Sequence, residues 1–135
     1  MSTSKVTLIS VVDDDQSVVE GVVNLLESVG YAAVGFVSAQ DFLQSVGLRS
    51  TACLILDVCM PGMSGPELQR RLAAENIHTP IIFITAHGDQ DVAGELLSTG
   101  AAAVLHKPFS QESLLAALRS ALSRREEQFG NENPL

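Results

Sequence analysis

Four apolar runs in this sequence end in, or are closely followed by, one or two side chains that could take part in chemistry. These are three carboxylates, one hydroxyl and one ammonium, namely Asp13 with Asp14, Asp57, Thr85 and Lys107. If the runs converge, the carboxylates need a further cation, because two of them about 4 Å apart repel by about 4 kcal/mol at an effective dielectric constant of ~20. Oxygen ligands favour a hard divalent ion, Mg²⁺ above all. A carboxylate beside Mg²⁺ can attack phosphorus, so this set predicts phosphoryl transfer onto an aspartate.

These side chains must be positioned by a unit that the sequence repeats five times: an apolar run, a polar turn and a helical pattern. The runs are Val6–Val12, Ala32–Val37, Ala52–Leu56, Ile81–Thr85 and Ala102–Leu105. All but the second are nearly continuous, which is typical of strands covered on both faces of a parallel sheet. Alternating strands and helices close right-handed, so an α/β fold with a doubly wound, five-stranded parallel sheet and five helices is predicted.

Each helical pattern has its own start signal. The predicted first residues or caps are Asp15, Ser38, Ser64, either Asp89 or Asp91, and Ser110. Ser64 with Glu67 forms a capping box, and Gly30 and Gly100 are predicted to end the first and fourth helices. Asp13 and Asp14 could also be no more than caps of the first helix, as we expect for Asp15.

Composition restricts the class of protein. The 135 residues suit one domain, and 8 basic against 16 acidic residues give a formal net charge of −8, which disfavours direct DNA binding. Neither an apolar run long enough for a membrane span nor a signal-peptide pattern is present, so a cytoplasmic location is predicted. Cys53 and Cys59 fit no disulfide or zinc spacing and are expected to be small buried side chains.

Four segments of the sequence resemble the signature segments of response-regulator receiver domains. They are Val11-Val-Asp-Asp-Asp15, Leu56-Asp-Val-Cys-Met-Pro-Gly-Met-Ser-Gly65, Ile84-Thr-Ala-His-Gly-Asp89 and His106-Lys-Pro-Phe109. The similarity runs from about Val6 to about Ser123, and it is greatest to receivers that precede LuxR-type helix-turn-helix effectors. The resemblance implies a flavodoxin-like sheet with strand order 2-1-3-4-5. It also implies a receiver domain over residues 1–123. The remaining residues, 124–135, turn polar and irregular, which predicts a frayed polar tail or the start of a linker.

The resemblance also implies a role for each site residue. Asp57 would be the phosphoacceptor, with Thr85 bonding a phosphoryl oxygen and Lys107 pairing with its charge. Mg²⁺ would be bound by Asp14, by Asp57 and by the backbone carbonyl of Cys59, with Asp13 acting through a water. The Lys107–Pro108 bond is often cis in the family.

The partners implied are a sensor histidine kinase or phosphotransfer protein as donor, and a second copy in a phosphorylation-dependent homodimer. Any transcription regulation would come from an effector domain outside this chain. One departure concerns the position three before Lys107, which is usually aromatic in receivers but is Val104 here. We therefore expect the response to travel as a backbone shift of Thr85–Asp89 rather than through a ring.

Two alternatives remain open at this stage. A haloacid-dehalogenase-like, Mg²⁺-dependent phosphatase could place its Asp-x-Asp motif on Asp13 and Asp15, but it would leave Asp57 unexplained. A pseudo-receiver that is never phosphorylated would serve only as a binding module, although such domains usually lose a pocket residue that this sequence keeps. His78, His87 and His106 show no ligand spacing and are expected to be loop or surface residues.

Overall fold

Five strands alternate with five helices in the computed structural model, which describes residues 7–86 and 90–131. The strands are β1 (Leu8–Val12), β2 (Ala32–Phe36), β3 (Thr51–Asp57), β4 (Ile81–Thr85) and β5 (Ala103–His106). The helices are α1 (Gln16–Ser28), α2 (Ala39–Leu43), α3 (Gly65–Ala74), α4 (Gln90–Ser98) and α5 (Gln111–Asn131). No helix within these described ranges is long and apolar enough to cross a membrane.

The strands form one parallel sheet in the order β2-β1-β3-β4-β5. This confirms the predicted doubly wound fold and its strand order. Because chain direction is shared, the carboxyl ends of all five strands lie at one edge, where open α/β sheets place their ligands.

Two apolar clusters cover the two faces of the sheet. On one face the strands pack against α1 and α5, through side chains that include Leu26, Leu114 and Leu118. On the other face they pack against α2, α3 and α4, with Phe42 and Leu68 among the buried residues. The sheet is therefore sealed on both faces, and the site can form only at its rim.

Burial falls from the middle of the sheet to its edges. All seven residues of β3 and all five of β4 are buried, as continuous apolar runs predict. The residues of β2 and β5 are only partly buried. Residues of β5 nevertheless pack on both faces, Val104 in one cluster and Ala103 and Leu105 in the other, and their partial burial follows from the edge position of the strand, which has a neighbour on one side only.

The helix starts follow the predicted caps. Asp15 caps α1, Ser38 caps α2, and Ser64 and Glu67 complete a capping box on α3. Ser110 Oγ accepts a hydrogen bond from Ser113 N at 3.0 Å at the start of α5. These bonds satisfy amide groups that the first helical turn leaves without partners.

Four helix boundaries can be compared with their predictions. The fourth helix begins at Gln90, so Asp91 lies inside it, while Asp89 is outside the described residues. Gly30 and Gly100 follow α1 and α4 with positive φ angles of 101° and 103°, as the predicted stops require. The last helix continues to Asn131, so the predicted tail from residue 124 is largely helical rather than irregular.

Candidate functional site

Asp57 is the last residue of β3, and its side chain is surrounded by the carboxyl ends of the neighbouring strands. It is 5% exposed, and in the register it pairs with Ile84 of β4. The next residue, Val58, donates its backbone N–H to the Ile84 carbonyl at 3.0 Å, which extends the pairing one step further. The backbone is therefore paired with β4 at Asp57 and hydrogen-bonded to it at the residue that follows.

Three carboxylates meet at this edge of the sheet. Asp13, Asp14 and Asp57 each offer an oxygen, and these oxygens all lie within 4.8 Å of one another. Asp13 and Asp57 are buried, whereas Asp14 is exposed. The sequence-predicted acidic residues of the first and third strands are thus brought together as expected from the shared strand direction.

Asp13 is fixed by contacts on both of its oxygens. Its Oδ1 accepts a hydrogen bond from the backbone N–H of Asp15 at 2.8 Å. Its Oδ2 lies 2.9 Å from Nζ of Lys107, although no hydrogen bond of regular geometry reaches that buried oxygen from the described residues. Asp15 itself turns away, because its Oδ1 accepts from both N and Oγ of Ser17, at 3.0 and 2.6 Å. These bonds to Ser17 lower the pKa of Asp15.

Lys107 follows β5 directly and supplies the positive charge of the site. Its Nζ lies 2.9 Å from Asp13 Oδ2 and 3.9 Å from Asp57 Oδ1. The Lys107–Pro108 bond is cis, which the family resemblance anticipated. Burial alone would lower the pKa of Lys107, but Asp13, Asp57 and Asp14 together outweigh it and raise this pKa above its ordinary value.

The charges of the site are not balanced by the protein alone. Burial, followed by the charge of Asp13, raises the pKa of Asp57 to about 7, against a lowering effect of Lys107. The hydrogen bond and the charge of Asp14 are smaller contributions to the same rise in pKa. Three carboxylates and one ammonium leave two negative charges in a partly desolvated site, a situation that disfavours ionisation of the last carboxyl group.

Thr85 ends β4 next to these groups. Its side chain is buried, and within the described residues its Oγ1 makes one long contact, of 3.5 Å, with the carbonyl of Ala86. Its own carbonyl accepts from the backbone N–H of Lys107 at 2.9 Å. In the sheet register Thr85 pairs with His106 and follows Ile84, the partner of Asp57. Thr85 therefore joins the strand of Asp57 to the segment of Lys107.

Gly65 is part of the site in a way that sequence reasoning missed. It is the first residue of α3, and its N–H donates to the carbonyl of Val58 at 2.9 Å. A Cβ at this position would lie 2.4 Å from the carbonyl oxygen of Asp57 and 3.0 Å from the ring of Phe83. Only glycine allows α3 to begin this close to the strand end. The sequence showed a glycine beside a capping box, but not what it would touch.

The donor set suits a hard divalent cation. The cluster offers carboxylate oxygens only, which are the ligands that Mg²⁺ prefers, and two uncompensated negative charges that such an ion would neutralise. Asp14 is exposed, so an entering ion would reach it from solvent. The residues present thus fit the metal that the sequence predicts.

One cysteine and one histidine differ from expectation, whereas the other cysteine is as predicted. Cys53 is buried, and burial raises the pKa of its thiol to about 12, so it acts as an apolar side chain. Cys59 is exposed, which corrects the prediction that both cysteines are buried. His106 is not a loop or surface residue but the last residue of β5, and its Nε2 is buried. His78 is exposed as predicted, and His87 lies outside the described residues.

A second concave region lies at the opposite edge of the sheet. It is a groove of about 800 Å³ between α3, α4 and α5, with Leu72, Leu97 and Ala121 in its wall. The metal-ligating cluster found in the described part of the chain is at the other edge. The candidate metal-binding cluster is therefore at the carboxyl ends of the strands and not in this groove.

Comparison with known families and proteins agrees with this geometry. A family sequence model described as "Response regulator receiver domain" matches residues 9–119. The response regulator protein TmoT of Ectopseudomonas mendocina is 44% identical over 125 residues, covering 93% of this chain and 57% of that protein. Nodulation protein W of Bradyrhizobium diazoefficiens is 45% identical over 117 residues, covering 87% and 52%. The chain therefore spans about half the length of the curated relatives it matches.

Solved structures give the same result. The response regulator StyR superposes with a TM-score of 0.82 at 42% identity, over 93% of this chain and 66% of that one. A response regulator receiver protein from Burkholderia phymatum superposes with a TM-score of 0.77 at 42% identity, over 87% and 95%. These matches fit the receiver prediction and not the phosphatase alternative, which also needs Asp15 in the pocket rather than at the helix cap.

Proposed function

The chain belongs to the response-regulator receiver family, and on that premise we propose that it is a Mg²⁺-dependent phosphoacceptor switch with Asp57 as the modified residue. Receiver domains are signalling domains rather than turnover enzymes, so the reaction proposed is the phosphorylation of the chain itself. The observation that carries the proposal is the meeting of Asp13, Asp14 and Asp57 within 4.8 Å at the strand ends, with Lys107 between Asp13 and Asp57.

Asp57 is the best placed of the three carboxylates to attack phosphorus. Its side chain ends a rigid strand, whereas both oxygens of Asp13 are engaged by Asp15 N–H and by Lys107. A carboxylate oxygen of Asp57 would form the new P–O bond as the bond from phosphorus to the donor nitrogen or oxygen breaks. The leaving group would keep the electron pair of the broken bond and take a proton from solvent.

The metal ligands proposed are Asp14, Asp57 and the backbone carbonyl of Cys59, with Asp13 acting through a coordinated water. The engagement of both Asp13 oxygens supports the indirect role, and the exposure of Asp14 supports the direct one. When bound, Mg²⁺ would neutralise charge on the carboxylates and on the phosphoryl group. It would also keep Asp57 ionised, and therefore nucleophilic, at neutral pH despite its raised pKa.

Lys107 and Thr85 would hold the phosphoryl group once it is on Asp57. The ammonium of Lys107 is 3.9 Å from Asp57 Oδ1, close enough to pair with an added negative charge. Among the residues that the structure describes, Thr85 Oγ1 makes a single long contact, which supports a role for its hydroxyl as donor to a phosphoryl oxygen. Their shared backbone hydrogen bond, Lys107 N–H to Thr85 carbonyl, would couple the two responses.

The partners proposed follow from the family. A sensor histidine kinase or a phosphotransfer protein would donate the phosphoryl group, and the modified chain would form a homodimer. The formal charge of −8 disfavours direct contact with DNA, so transcription regulation would require an effector domain outside these residues. We place the reaction in the cytoplasm.

The proposed division is a receiver domain over 1–123 followed by a tail or linker start over 124–135. The family match, which ends at residue 119, supports this division. Helix α5 runs on to Asn131, so the proposed tail would begin within the helix.

The test is labelling with acetyl phosphate in Mg²⁺, followed by mass spectrometry. Wild type should gain one phosphoryl group, and Asp57→Asn should gain none because the nucleophile is gone. Asp15→Asn is the matched control, since this aspartate caps α1 and should be labelled normally. Normal labelling of Asp57→Asn together with failure of Asp13→Asn would transfer the role to Asp13. A wild type that is never labelled would favour the pseudo-receiver alternative.

A further inference from the structure

His106 is paired in the sheet with the threonine of the proposed site. Phe83 of β4 and Val104 of β5 are register partners and pack in the same apolar cluster. Two residues further along, Thr85 and His106 are again register partners. Side chains two apart on a strand share a face, so those of Thr85 and His106 stand side by side on the face covered by α3 and α4. Neighbouring strands are about 4.8 Å apart, which makes them direct neighbours.

Both of these neighbours have polar atoms without good hydrogen bonds. His106 Nε2 is buried and has no partner among the described residues. In the same part of the chain, Thr85 Oγ1 has one contact, the 3.5 Å contact with the Ala86 carbonyl. A buried polar atom that lacks a partner is destabilising, so a second state in which it is bonded would be favoured.

We propose that His106 is a positioning residue for Thr85, its Nε2–H donating to Thr85 Oγ1 when that hydroxyl donates to a phosphoryl oxygen on Asp57. A hydroxyl can donate one hydrogen bond and accept two, so the two bonds do not compete. Each polarises the shared hydroxyl in the direction that strengthens the other. His106 would thus hold Thr85 in the orientation of the phosphorylated state. The inference rests on the proposed function and adds to it a residue on the output side of the switch.

The position of β5 at the edge of the sheet makes it feasible for the His106 ring to turn toward Thr85. His106 ends an edge strand whose residues are only partly buried, so its ring can turn without disturbing a neighbouring strand on its outer side. Val104, the other β5 residue on this face, has no polar atom and few rotamers. The imidazole would therefore take part in the response together with the backbone shift expected from Thr85 onward, and the position that is aromatic in most receivers would not.

The first experiment observes the imidazole directly. Long-range ¹H–¹⁵N spectra of the ¹⁵N-labelled full chain would be recorded with Mg²⁺, with and without beryllofluoride as phosphoryl mimic. The His106 signals, assigned by their loss in His106→Gln, should shift and show a protonated Nε2 on addition of the mimic. The His78 signals should not move, because that exposed ring bonds Asn76 on the opposite edge of the sheet. Thr85→Ala should abolish the His106 shift, and Thr85→Ser, which keeps the hydroxyl, should retain it.

The second experiment measures the energetic link by a double-mutant cycle on beryllofluoride affinity. His106→Phe keeps a ring but removes the donor, and it should weaken binding about two- to tenfold in the wild-type background. In the Thr85→Ala background the same substitution should have no effect. His106→Gln, whose amide can donate, should recover part of the affinity. Backbone ¹H–¹⁵N spectra of each variant establish that it is folded.

The outcomes distinguish failure of this inference from failure of the proposed function. If the mimic binds through Asp57 while the His106 signals stay unchanged, the proposed function stands and this inference is wrong. Equal losses of affinity for His106→Phe in both backgrounds would likewise overturn it, since they would show a purely structural role. If the mimic does not bind wild type, or binds Asp57→Asn equally well, the proposed function fails and the inference falls with it.

Discussion

Strands β3 and β5 both end in residues of the site, but they lie in different surroundings. Every residue of β3 is buried, between two neighbouring strands and two apolar clusters. Every residue of β5 is only partly buried, because the strand is at the edge of the sheet. The proposed nucleophile, Asp57, thus stands on the fully buried strand, whereas two of the groups proposed to respond to phosphorylation, His106 and Lys107, stand on or beside the partly buried edge strand.

The difference separates capture from response. A nucleophile must be held within a narrow range of geometry for phosphoryl transfer, which a strand bonded on both sides provides. A responding group must have a second arrangement available, and an element that is tightly packed on every side has none. The position of a strand in the sheet therefore suits it to one task or the other.

Truncation of one side chain on each strand should give the largest contrast. Ile55→Ala on β3 removes a fully buried side chain and should lower the free energy of unfolding by about 2 to 5 kcal/mol. Val104→Ala on β5 should lower it by about 1 to 2 kcal/mol, because less area is lost and the edge can relax. Urea denaturation with unchanged m-values measures both.

The side chain of Val104 should matter little for signalling. Val104→Ala should dimerise with beryllofluoride as wild type does in light scattering, because we expect this side chain not to carry the response. Loss of dimerisation in a folded Val104→Ala would instead assign the signal to this side chain. It would also contradict the assignment of the response to His106 rather than to Val104.

The pH dependence of stability should reveal the raised pKa of Asp57 at the end of β3. Without metal the pKa of Asp57 is about 7, above its ordinary 3.8, so the native state binds more protons than the unfolded state between these values. Stability from this group is therefore full below about pH 3.8 and is lost as pH rises to about 7, with ~4 kcal/mol as an upper limit. Asp57→Asn should lack this loss. Urea denaturation in EDTA at pH 5 and pH 7.5 compares the two, and equal losses would contradict the assignment.

Two glycine substitutions test how tightly the end of β3 is enclosed. Gly65→Ala should destabilise by about 1 to 3 kcal/mol, because its Cβ would lie 2.4 Å from the Asp57 carbonyl. Gly21→Ala is the matched control, since Gly21 lies inside α1 with no atom within 4 Å of an added Cβ. It should stabilise by about 0.5 to 1 kcal/mol through better helix propensity. Thermal unfolding of both variants decides, and a neutral Gly65→Ala would mean that α3 can move away from the site.

Metal binding should give the smallest effect. At ten times its dissociation constant, Mg²⁺ should stabilise wild type by about 1.4 kcal/mol and raise the melting temperature by a few degrees, roughly 3 to 6 °C. Asp14→Ala should lose this response, and it should be no less stable than wild type in EDTA because one repulsive charge is gone. Equal stabilisation of both proteins by Mg²⁺ would place the metal elsewhere.

Local sequence patterns were sufficient for the elements and for the chemistry-bearing residues. Asp15, Ser38 and Ser64 begin their helices as predicted, because a cap depends on atoms two or three residues away. The strand ends were predictable because parallel strands share a direction, so their final residues must lie at one edge. The four family segments then named the family, which the comparisons confirm.

What the tertiary structure decided depends on residues far apart in the chain. Only the packed sheet sets the 4.8 Å cluster and the burial that raises the pKa of Asp57 to about 7. Only the docking of α3 shows that Gly65 must lack a side chain, and only the strand order makes β5 an edge. The exposure of Cys59 and the pairing of His106 with Thr85 were hidden for the same reason. Composition and periodicity indicate which face of the sheet a residue occupies, whereas its neighbours on adjacent strands are determined by the spatial order of the strands in the sheet.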